Sequence, residues 1–266
     1  MATTKIGWTN RVWNPTTGCD QISPGCTNCY ALTMAGRLKL MGQAKYQNDG
    51  DPRTSGPGFG LTVHPDTLDA PLHWRKPSLV FVNSMSDLFH DDVPVEFIAK
   101  VYATMVCSAD VIKFQVLTKR PHRMARLLAD ERFQQLVQRE VWALDGHMFA
   151  GFIRPNIWWG VSIESDRYTF RARHLVETPA AVRWLSLEPL LGPLPSLDLA
   201  GIDWVVVGGE SGPRFRTMDV GWLADIAAQC DDLAVPLFVK QDSHRHSEQQ
   251  GRIPDDLWAR KEFPRA

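Results

Sequence analysis

Three cysteines near the N-terminus have the spacing of a metal-binding cluster. Cys19, Cys26 and Cys29 form a Cys-x6-Cys-x2-Cys pattern in one stretch punctuated by glycine and proline. Three thiols in one loop can converge on a single metal centre, but a closed structural site normally takes four protein ligands. The pattern therefore indicates a site that either borrows a fourth ligand or leaves one coordination position open for chemistry.

Two metal chemistries fit this donor set. Zinc binds thiolates, and His64, His73 and His90 are candidates to complete its tetrahedron, although no second Cys-x2-Cys pair is present. The alternative is a [4Fe–4S] cube with three cysteine-bound irons and a free fourth iron that chelates S-adenosylmethionine. An electron from such a cluster cleaves the sulfonium carbon–sulfur bond and yields a 5′-deoxyadenosyl radical, while the protein supplies ligation and orientation. The residues favour iron–sulfur over zinc, and a metal-free thiol loop is the remaining alternative.

The bulk composition narrows the class of protein. The chain has 266 residues, 44% of them hydrophobic, which suits one large α/β domain or two small ones. A formal net charge of −1 means that the protein as a whole does not attract nucleic acid electrostatically, although a local basic patch is still compatible with this charge. No apolar run is long enough to cross a bilayer and residues 1–6 show no hydrophobic region of a signal peptide, so we expect a cytoplasmic protein without a membrane partner.

The two remaining cysteines have a different context. Cys107 and Cys230 lie in apolar, helix-like segments, and we expect both to be ordinary buried residues. In the cytosol, the five cysteines of the chain are expected to be reduced, metal-bound or catalytic and not paired in disulfides.

Short apolar runs alternate with stretches compatible with helix. Such runs are typical of parallel strands covered on both faces, and their alternation with helices indicates βαβ units. Strands are predicted at residues 11–13, 79–82, 114–117, 157–161, 182–185, 204–207 and 236–239. Helices are predicted at residues 30–38, 94–107, 121–128, 166–177 and 220–231. We therefore predict a single α/β domain over 1–266, a (βα) TIM-like barrel or partial barrel with parallel strands, with a Gly- and Pro-rich loop or lid at 42–60 and a second loop at 241–251.

Polar residues follow six of the predicted strands. Because the ligand site of parallel α/β folds lies at the carboxyl ends of the strands, these residues predict one shared site. The candidates for binding S-adenosylmethionine are Asn83, Ser84, Ser86, Asp87, Glu164, Glu188, Gly208, Gly209 and Glu210. The paired glycines permit close approach of a ligand to the backbone, and Glu210 can accept a hydrogen bond from an amine or hydroxyl. Helix capping, a tight turn or an exposed charge is the structural alternative for each of them.

Basic and aromatic residues complete the candidate site. Lys119 and Arg120 are predicted to bind a carboxylate or phosphate of the substrate, with a charged surface turn as the alternative. Trp8 and Trp13 lie close to the cysteines in sequence and are candidates to shield a cluster from water.

The whole chain resembles a phage and prophage family of unassigned function whose members are similar to radical S-adenosylmethionine enzymes. The resemblance is carried by the three-cysteine loop and by residues 6–10, 13–15, 81–90, 115–121, 186–192 and 207–212. It implies the order strand, cysteine loop, helix that is typical of those enzymes. Their usual spacing is Cys-x3-Cys-x2-Cys, whereas six residues separate the first two thiols here.

The leading hypothesis is therefore a radical S-adenosylmethionine enzyme that abstracts hydrogen from a substrate at the strand ends. The family resemblance implies a phage setting, which favours a nucleobase or nucleotide as substrate, and the cluster requires an electron donor as partner. The alternative is a zinc-stabilised, non-catalytic barrel that binds nucleic acid or a partner protein.

Overall fold

Seven parallel strands form the centre of the computed structural model, which describes residue 4, residues 6–147 and residues 151–264. The strands in chain order are β1 (Arg11–Trp13), β2 (Thr16–Thr17), β3 (Thr62–Val63), β4 (Ser78–Val82), β5 (Ile112–Thr118), β6 (Ile157–Ser162), β7 (Val182–Leu187), β8 (Trp204–Gly208) and β9 (Leu237–Gln241). Strands β1 and β4 to β9 pair side by side in that order, and the sheet curls into a half-barrel. β2 and β3 form a separate antiparallel pair. The predicted partial barrel of parallel strands is confirmed, with β1 and β9 as the outermost strands of the sheet. The outer edge of β9 forms an antiparallel bridge between Phe238 and Lys261.

Both faces of the sheet are buried, which explains why the strands are continuous apolar runs in the sequence. Every second residue of a strand, such as Val80 and Val82 of β4, points away from the concave face and packs against the helices in the main core. The concave face carries a separate aromatic cluster that includes Trp8, Phe81 and Trp184. Gly160 makes room for this cluster, since a Cβ there would lie 2.3 Å from the Trp184 ring.

The helices follow the predicted pattern with three differences: one predicted helix is shorter, and two helices, one of them the last in the chain, were not predicted. In chain order the helices are α1 (Tyr30–Leu40), α2 (Val95–Cys107), α3 (Pro121–Ala129), α4 (Glu131–Asp145), α5 (Phe170–Val176), α6 (Val220–Asp232) and α7 (Asp255–Trp258). The predicted helix at 166–177 is wrong in extent, because a 3₁₀ turn at Asp166–Tyr168 precedes α5. The unpredicted α4 begins directly after α3, where Asp130 caps it by accepting a hydrogen bond from the Arg132 N–H.

The two cysteines outside the cluster differ in burial. Cys230 is fully buried in the main core, as expected, whereas Cys107 at the end of α2 is only partly buried. No helix in the described part of the chain is both long enough and apolar enough to cross a membrane.

Candidate functional site

A cavity of about 610 Å³ lies inside the curve of the sheet, at the carboxyl ends of the strands. Ligand cavities in proteins usually span about 300–1,000 Å³, so its size suits a small-molecule site. All three clustered cysteines line it. Predicted site residues that also line it are Asn83, Ser84, Ser86, Asp87, Lys119, Arg120, Glu188 and Glu210. The structure therefore brings these side chains together around one cavity.

The cysteine loop, residues 18–29, is tied to the end of β8 through Glu210. Asn28 Nδ2 donates to Glu210 Oε2 at 3.0 Å. Arg216 donates to the same carboxylate through Nε at 3.0 Å and Nη2 at 2.5 Å, and its Nη2 also donates to the Pro24 carbonyl at 2.9 Å. Burial raises the pKa of Glu210, but the hydrogen bonds from Arg216 and Asn28 outweigh it and hold the pKa below the usual glutamate value. Glu210 therefore positions the loop as an anion.

The same loop is also tied to the end of β4. Ser86 Oγ donates to the Gly18 carbonyl at 2.6 Å, and the Gly18 N–H donates to the Met85 carbonyl at 3.0 Å. Gly18 has φ +86°, and a Cβ there would lie 2.3 Å from the Gly60 carbonyl oxygen. Only glycine fits this position without strain, because both the backbone conformation and the space exclude a side chain.

Residues 42–60, the predicted loop or lid, consist of turns with a short 3₁₀ helix at Ala44–Tyr46 and pack against the cysteine loop. The Cys19 N–H donates to the Phe59 carbonyl at 3.3 Å. Asp20 accepts hydrogen bonds from Thr54 Oγ1 at 2.6 Å and from Ser55 Oγ. The segment therefore helps to hold the first cysteine in place.

The three thiols are partly buried and free. Burial, followed by the nearby Asp87 carboxylate, raises the pKa of Cys19 to about 12, although the Arg120 guanidinium 3.5 Å from its Sγ acts in the opposite direction. Burial also raises the pKa of Cys29, against the lowering effect of two N–H groups in the first turn of α1. Without a bound cation these two thiols are therefore held in the neutral form, and a bound metal ion would supply the positive charge that a thiolate needs.

The donor set around the cavity can be compared with the two metal hypotheses. His64 Nε2 lies 2.8 Å from Thr17 Oγ1, His90 Nε2 lies 3.0 Å from Asp20 Oδ2, and His73 is exposed beside Asp69. None of these three histidines lines the cavity. A cavity lined by three thiols and by none of these three histidines fits a cluster held by three cysteines better than a zinc site closed by protein ligands.

The thiols share a cavity wall without forming a finished coordination shell. Over the ranges that the structure describes, no three His, Cys, Asp or Glu side chains are grouped so that they could hold a metal ion. Metal binding can be coupled to local ordering of the ligands. Rotation of the cysteine side chains would therefore have to accompany metal binding.

A directed chain of hydrogen bonds leads from the cysteine loop to Asn83. The Gly18 carbonyl can only accept, so Ser86 must donate to it, Thr16 must donate to Ser86, and Asn83 Nδ2 must donate to Thr16 Oγ1. This order fixes the orientation of the Asn83 amide. Its Oδ1 is then a buried acceptor without a protein partner, on a cavity residue with the uncommon φ of 65°. Among the predicted site residues at the end of β4, Asn83 therefore has a side-chain oxygen that can still accept a hydrogen bond.

The other residues predicted after β4 are engaged by the protein. Asp87 accepts from Thr118 Oγ1 at 2.7 Å, from the Lys119 N–H at 3.1 Å and from Arg120 Nη1 at 3.1 Å. The Ser84 hydroxyl pairs with the Asn14 amide at 3.2 Å. These side chains therefore shape the cavity wall, and Arg120 is shared between Asp87 and Cys19.

Three predicted cofactor residues do not line the cavity. Glu164 is fully buried, pairs with Arg171 at 3.0 Å and supports the cysteine loop, because a Cβ on Gly25 would lie 3.2 Å from its carboxyl carbon. Gly209 packs against the chain itself, since a Cβ there would lie 2.3 Å from the Ser243 nitrogen. Gly208 is similarly close to Gln241, with 3.3 Å between the added Cβ and Cγ. The close approach inferred from the glycines is therefore to β9 and the residues after it, and not to a ligand.

The two tryptophans near the cysteines lie on different sides of the sheet. Trp8 lines the cavity and belongs to the concave cluster. Trp13 packs in the outer core, where its Nε1 donates to the Thr67 carbonyl at 2.9 Å, so the expectation that it shields the cysteines is wrong.

Sequence reasoning missed the far wall of the cavity. Lys240 Nζ donates to Glu188 Oε1 at 2.6 Å, and Glu248 accepts from the Gly7 N–H at 3.2 Å. Burial raises the pKa of Glu248 above the usual glutamate value. Lys240 is the polar residue that follows the last of the predicted strands, although it was not named as a binding residue, whereas Glu248 lies in an irregular loop without a sequence signal.

Comparison with known proteins identifies the family of the chain but not its function. No curated protein and no solved structure matches the chain at a significant level. One family model matches residues 3–260, which is nearly the whole chain. The chain therefore belongs to the family described as "Protein of unknown function (DUF5131)".

Proposed function

We propose that this protein is a radical S-adenosylmethionine enzyme that holds a [4Fe–4S] cluster through Cys19, Cys26 and Cys29. The observation that carries the proposal is that these three thiols, and no histidine among the candidates for a fourth ligand, line one cavity at the strand ends of a half-barrel. Three protein ligands leave one iron of a cube open for S-adenosylmethionine. When bound, the two cofactors would supply a 5′-deoxyadenosyl radical for hydrogen abstraction.

The residues of the chain would have three tasks in this reaction. Glu210 and Ser86 hold the cysteine loop at the ends of β8 and β4. Arg120, close to Cys19 Sγ, offsets the negative charge of a thiolate-bound cluster. Asn83 Oδ1 offers an acceptor for an N–H or O–H group of a bound ligand.

The cavity also offers an apolar floor to a substrate. Trp8, Phe81 and Leu117 line it below the cysteines. An apolar enclosure limits the access of water, which protects a reactive intermediate from side reactions. A flat heterocycle such as a nucleobase suits this floor, and we keep a nucleobase or nucleotide as the proposed substrate.

The reaction needs an electron donor, which must approach the cysteine loop from outside. Ile22, Tyr30 and Met34 line the cavity and are also exposed, with 42%, 51% and 43% of their surface accessible. This apolar rim is the proposed contact surface for the donor. We place the reaction in the cytosol, where thiols are kept reduced.

The cluster is tested by anaerobic reconstitution with iron and sulfide. We expect a brown protein with about four irons and four sulfides per chain. Cys26→Ala should lose this cluster, whereas Cys230→Ala, a matched loss of one thiol in the outer core, should keep it. The reduced protein should then cleave S-adenosylmethionine to 5′-deoxyadenosine. Stoichiometric zinc without sulfide would instead support the zinc-stabilised binding protein.

A further inference from the structure

Three cationic residues line the cavity, and Lys119 is the one that forms no ion pair with a described carboxylate. Arg120 pairs with Asp87 at 3.1 Å, and Lys240 pairs with Glu188 at 2.6 Å. The Lys119 ammonium donates to a neutral group, Ser162 Oγ, at 2.6 Å, and no described carboxylate forms an ion pair with it. A partly buried ammonium has three donors, so two of them remain for a ligand.

Hydroxyl groups on two neighbouring strands extend this cationic site. Ser162 and Ser186 are paired in register on β6 and β7, and both line the cavity. Ser162 accepts from Lys119 and donates to the Glu188 carbonyl at 3.3 Å, which fixes the ammonium in place. The Ser186 hydroxyl has no hydrogen-bond partner among the described residues, although the residue is only 3% exposed. A second donor is therefore available beside the ammonium.

This polar group borders the apolar floor of the cavity. Leu117 lies on β5, two residues before Lys119, which directly follows that strand, and Phe81 lies on the same face of the adjacent β4. Trp8 completes the floor, with a buried Nε1 that has no protein partner. A ligand that fills both regions has an apolar body and one negatively charged end.

We propose that the substrate carries an oxyanion, a carboxylate or a phosphate, that binds Lys119 Nζ and the Ser186 hydroxyl while its apolar body lies on Trp8, Phe81 and Leu117. That the bound anion is a substrate rests on the proposed function, whereas the anion site itself rests on the geometry. Ammonium groups and hydroxyls together are a common way for proteins to bind either oxyanion. We assign this role to Lys119 and not to Arg120, because the charge of Arg120 is matched by Asp87 and its Nη1 also contacts Cys19 Sγ.

Titration calorimetry of metal-free protein tests the anion site without a cluster. Benzoate, phenyl phosphate and inorganic phosphate are the probes, and benzamide is the uncharged isostere of benzoate. We expect Lys119→Met to weaken binding of the charged probes about tenfold to a hundredfold, and Ser186→Ala about threefold to tenfold. Binding of benzamide should not change. A preference for benzoate or for phenyl phosphate assigns the anion as carboxylate or phosphate.

Lys113→Met is the matched control, since Lys113 lies at the opposite end of the same strand and outside the cavity lining. This variant should bind all probes as the unmodified protein does, and equal thermal unfolding midpoints should show that each variant is folded. The proposal is overturned if benzoate and phenyl phosphate bind no better than benzamide, or if Lys119→Met binds them as tightly as the unmodified protein.

A last titration separates substrate from cofactor. Protein that carries the cluster and is saturated with S-adenosylmethionine should still bind the charged probes, because the proposal gives Lys119 to the substrate. Competition between S-adenosylmethionine and the charged probes would overturn the proposal and would assign Lys119 to the carboxylate of the cofactor. Failure to assemble a cluster would refute the proposed function alone, since the metal-free titrations do not depend on it.

Discussion

Replacement of Glu210 by glutamine should release the cysteine loop while leaving the rest of the fold in place. The carboxylate is 5% exposed and accepts hydrogen bonds from Arg216 and from Asn28. Removal of one partner from a fully buried ion pair costs about 3–5 kcal/mol. The Arg216 side chain is 36% exposed, so water recovers part of this loss, and we expect Glu210→Gln to lower the free energy of unfolding by about 2–3 kcal/mol.

Asp242 provides a control, because it is another buried carboxylate that pairs with an arginine elsewhere in the protein. It is equally buried and accepts two hydrogen bonds from the Arg252 guanidinium, at 2.9 and 2.7 Å, but it does not touch the cysteine loop. Asp242→Asn should therefore destabilise the protein to a similar extent. Its cysteines should keep the reactivity that they have in the unmodified protein.

Thiol reactivity in the metal-free protein distinguishes the two variants. A chromogenic disulfide reagent should modify Cys26 and Cys29 at least about tenfold faster in Glu210→Gln than in the unmodified protein, because local opening of the loop then requires less free energy. Peptide mapping by mass spectrometry identifies the modified thiols. Equal rates in Glu210→Gln and Asp242→Asn would refute the claim that Glu210 positions this loop.

The pH dependence of this effect follows from the lowered pKa of Glu210. A carboxylate whose pKa is lower in the folded state stabilises the protein fully above its unfolded pKa, about 4.3 for glutamate, and loses this contribution as pH falls through the folded value. The difference in unfolding free energy between the unmodified protein and Glu210→Gln should therefore be constant from pH 8 to 6. It should shrink only in acid, as urea titrations at several pH values can measure.

Three further outcomes follow from the structure. Cys107→Ala should retain the full iron content after reconstitution, as measured by colorimetric iron analysis, and loss of iron would mean that this thiol is a ligand. Glu164→Gln should cost about 3–5 kcal/mol in urea unfolding, whereas joint replacement of Glu164 and Arg171 by leucine should cost less, because it leaves no unpaired charge. Gly18→Ala should lower both stability and iron content, since its Cβ would meet the backbone of the 42–60 segment, and an unchanged variant would contradict that contact.

The sequence predicted the strands well because their signal is local. Runs such as 204–207 are buried on both faces and are apolar for that reason. The polar residues that follow the strands come together because parallel strands end at one edge of the sheet, so Asn83, Lys119 and Glu188 were placed correctly in one cavity.

The remaining features depend on distant contacts that no local pattern encodes. Glu210 meets Asn28 across 182 residues of sequence, and this partner, not the preceding glycines, determines what the carboxylate does. Glu164 and Glu188 both follow strands, yet one lies beneath the cysteine loop and the other faces the cavity. A rule based on strand ends cannot separate them, because the direction of each side chain is set by tertiary packing.

The open edge of the half-barrel has a consequence for how this family can change. Between β1 and β9 the cavity is bounded by irregular chain, including Trp8 and Glu248, and Gly7 donates one backbone hydrogen bond to the Glu248 carboxylate across this gap. No strand pairing is lost when such a segment is lengthened or shortened, because it contributes nothing to the sheet's hydrogen-bond ladder. Insertions at this wall can therefore enlarge or reshape the cavity while the cysteine loop and the seven strands stay as they are.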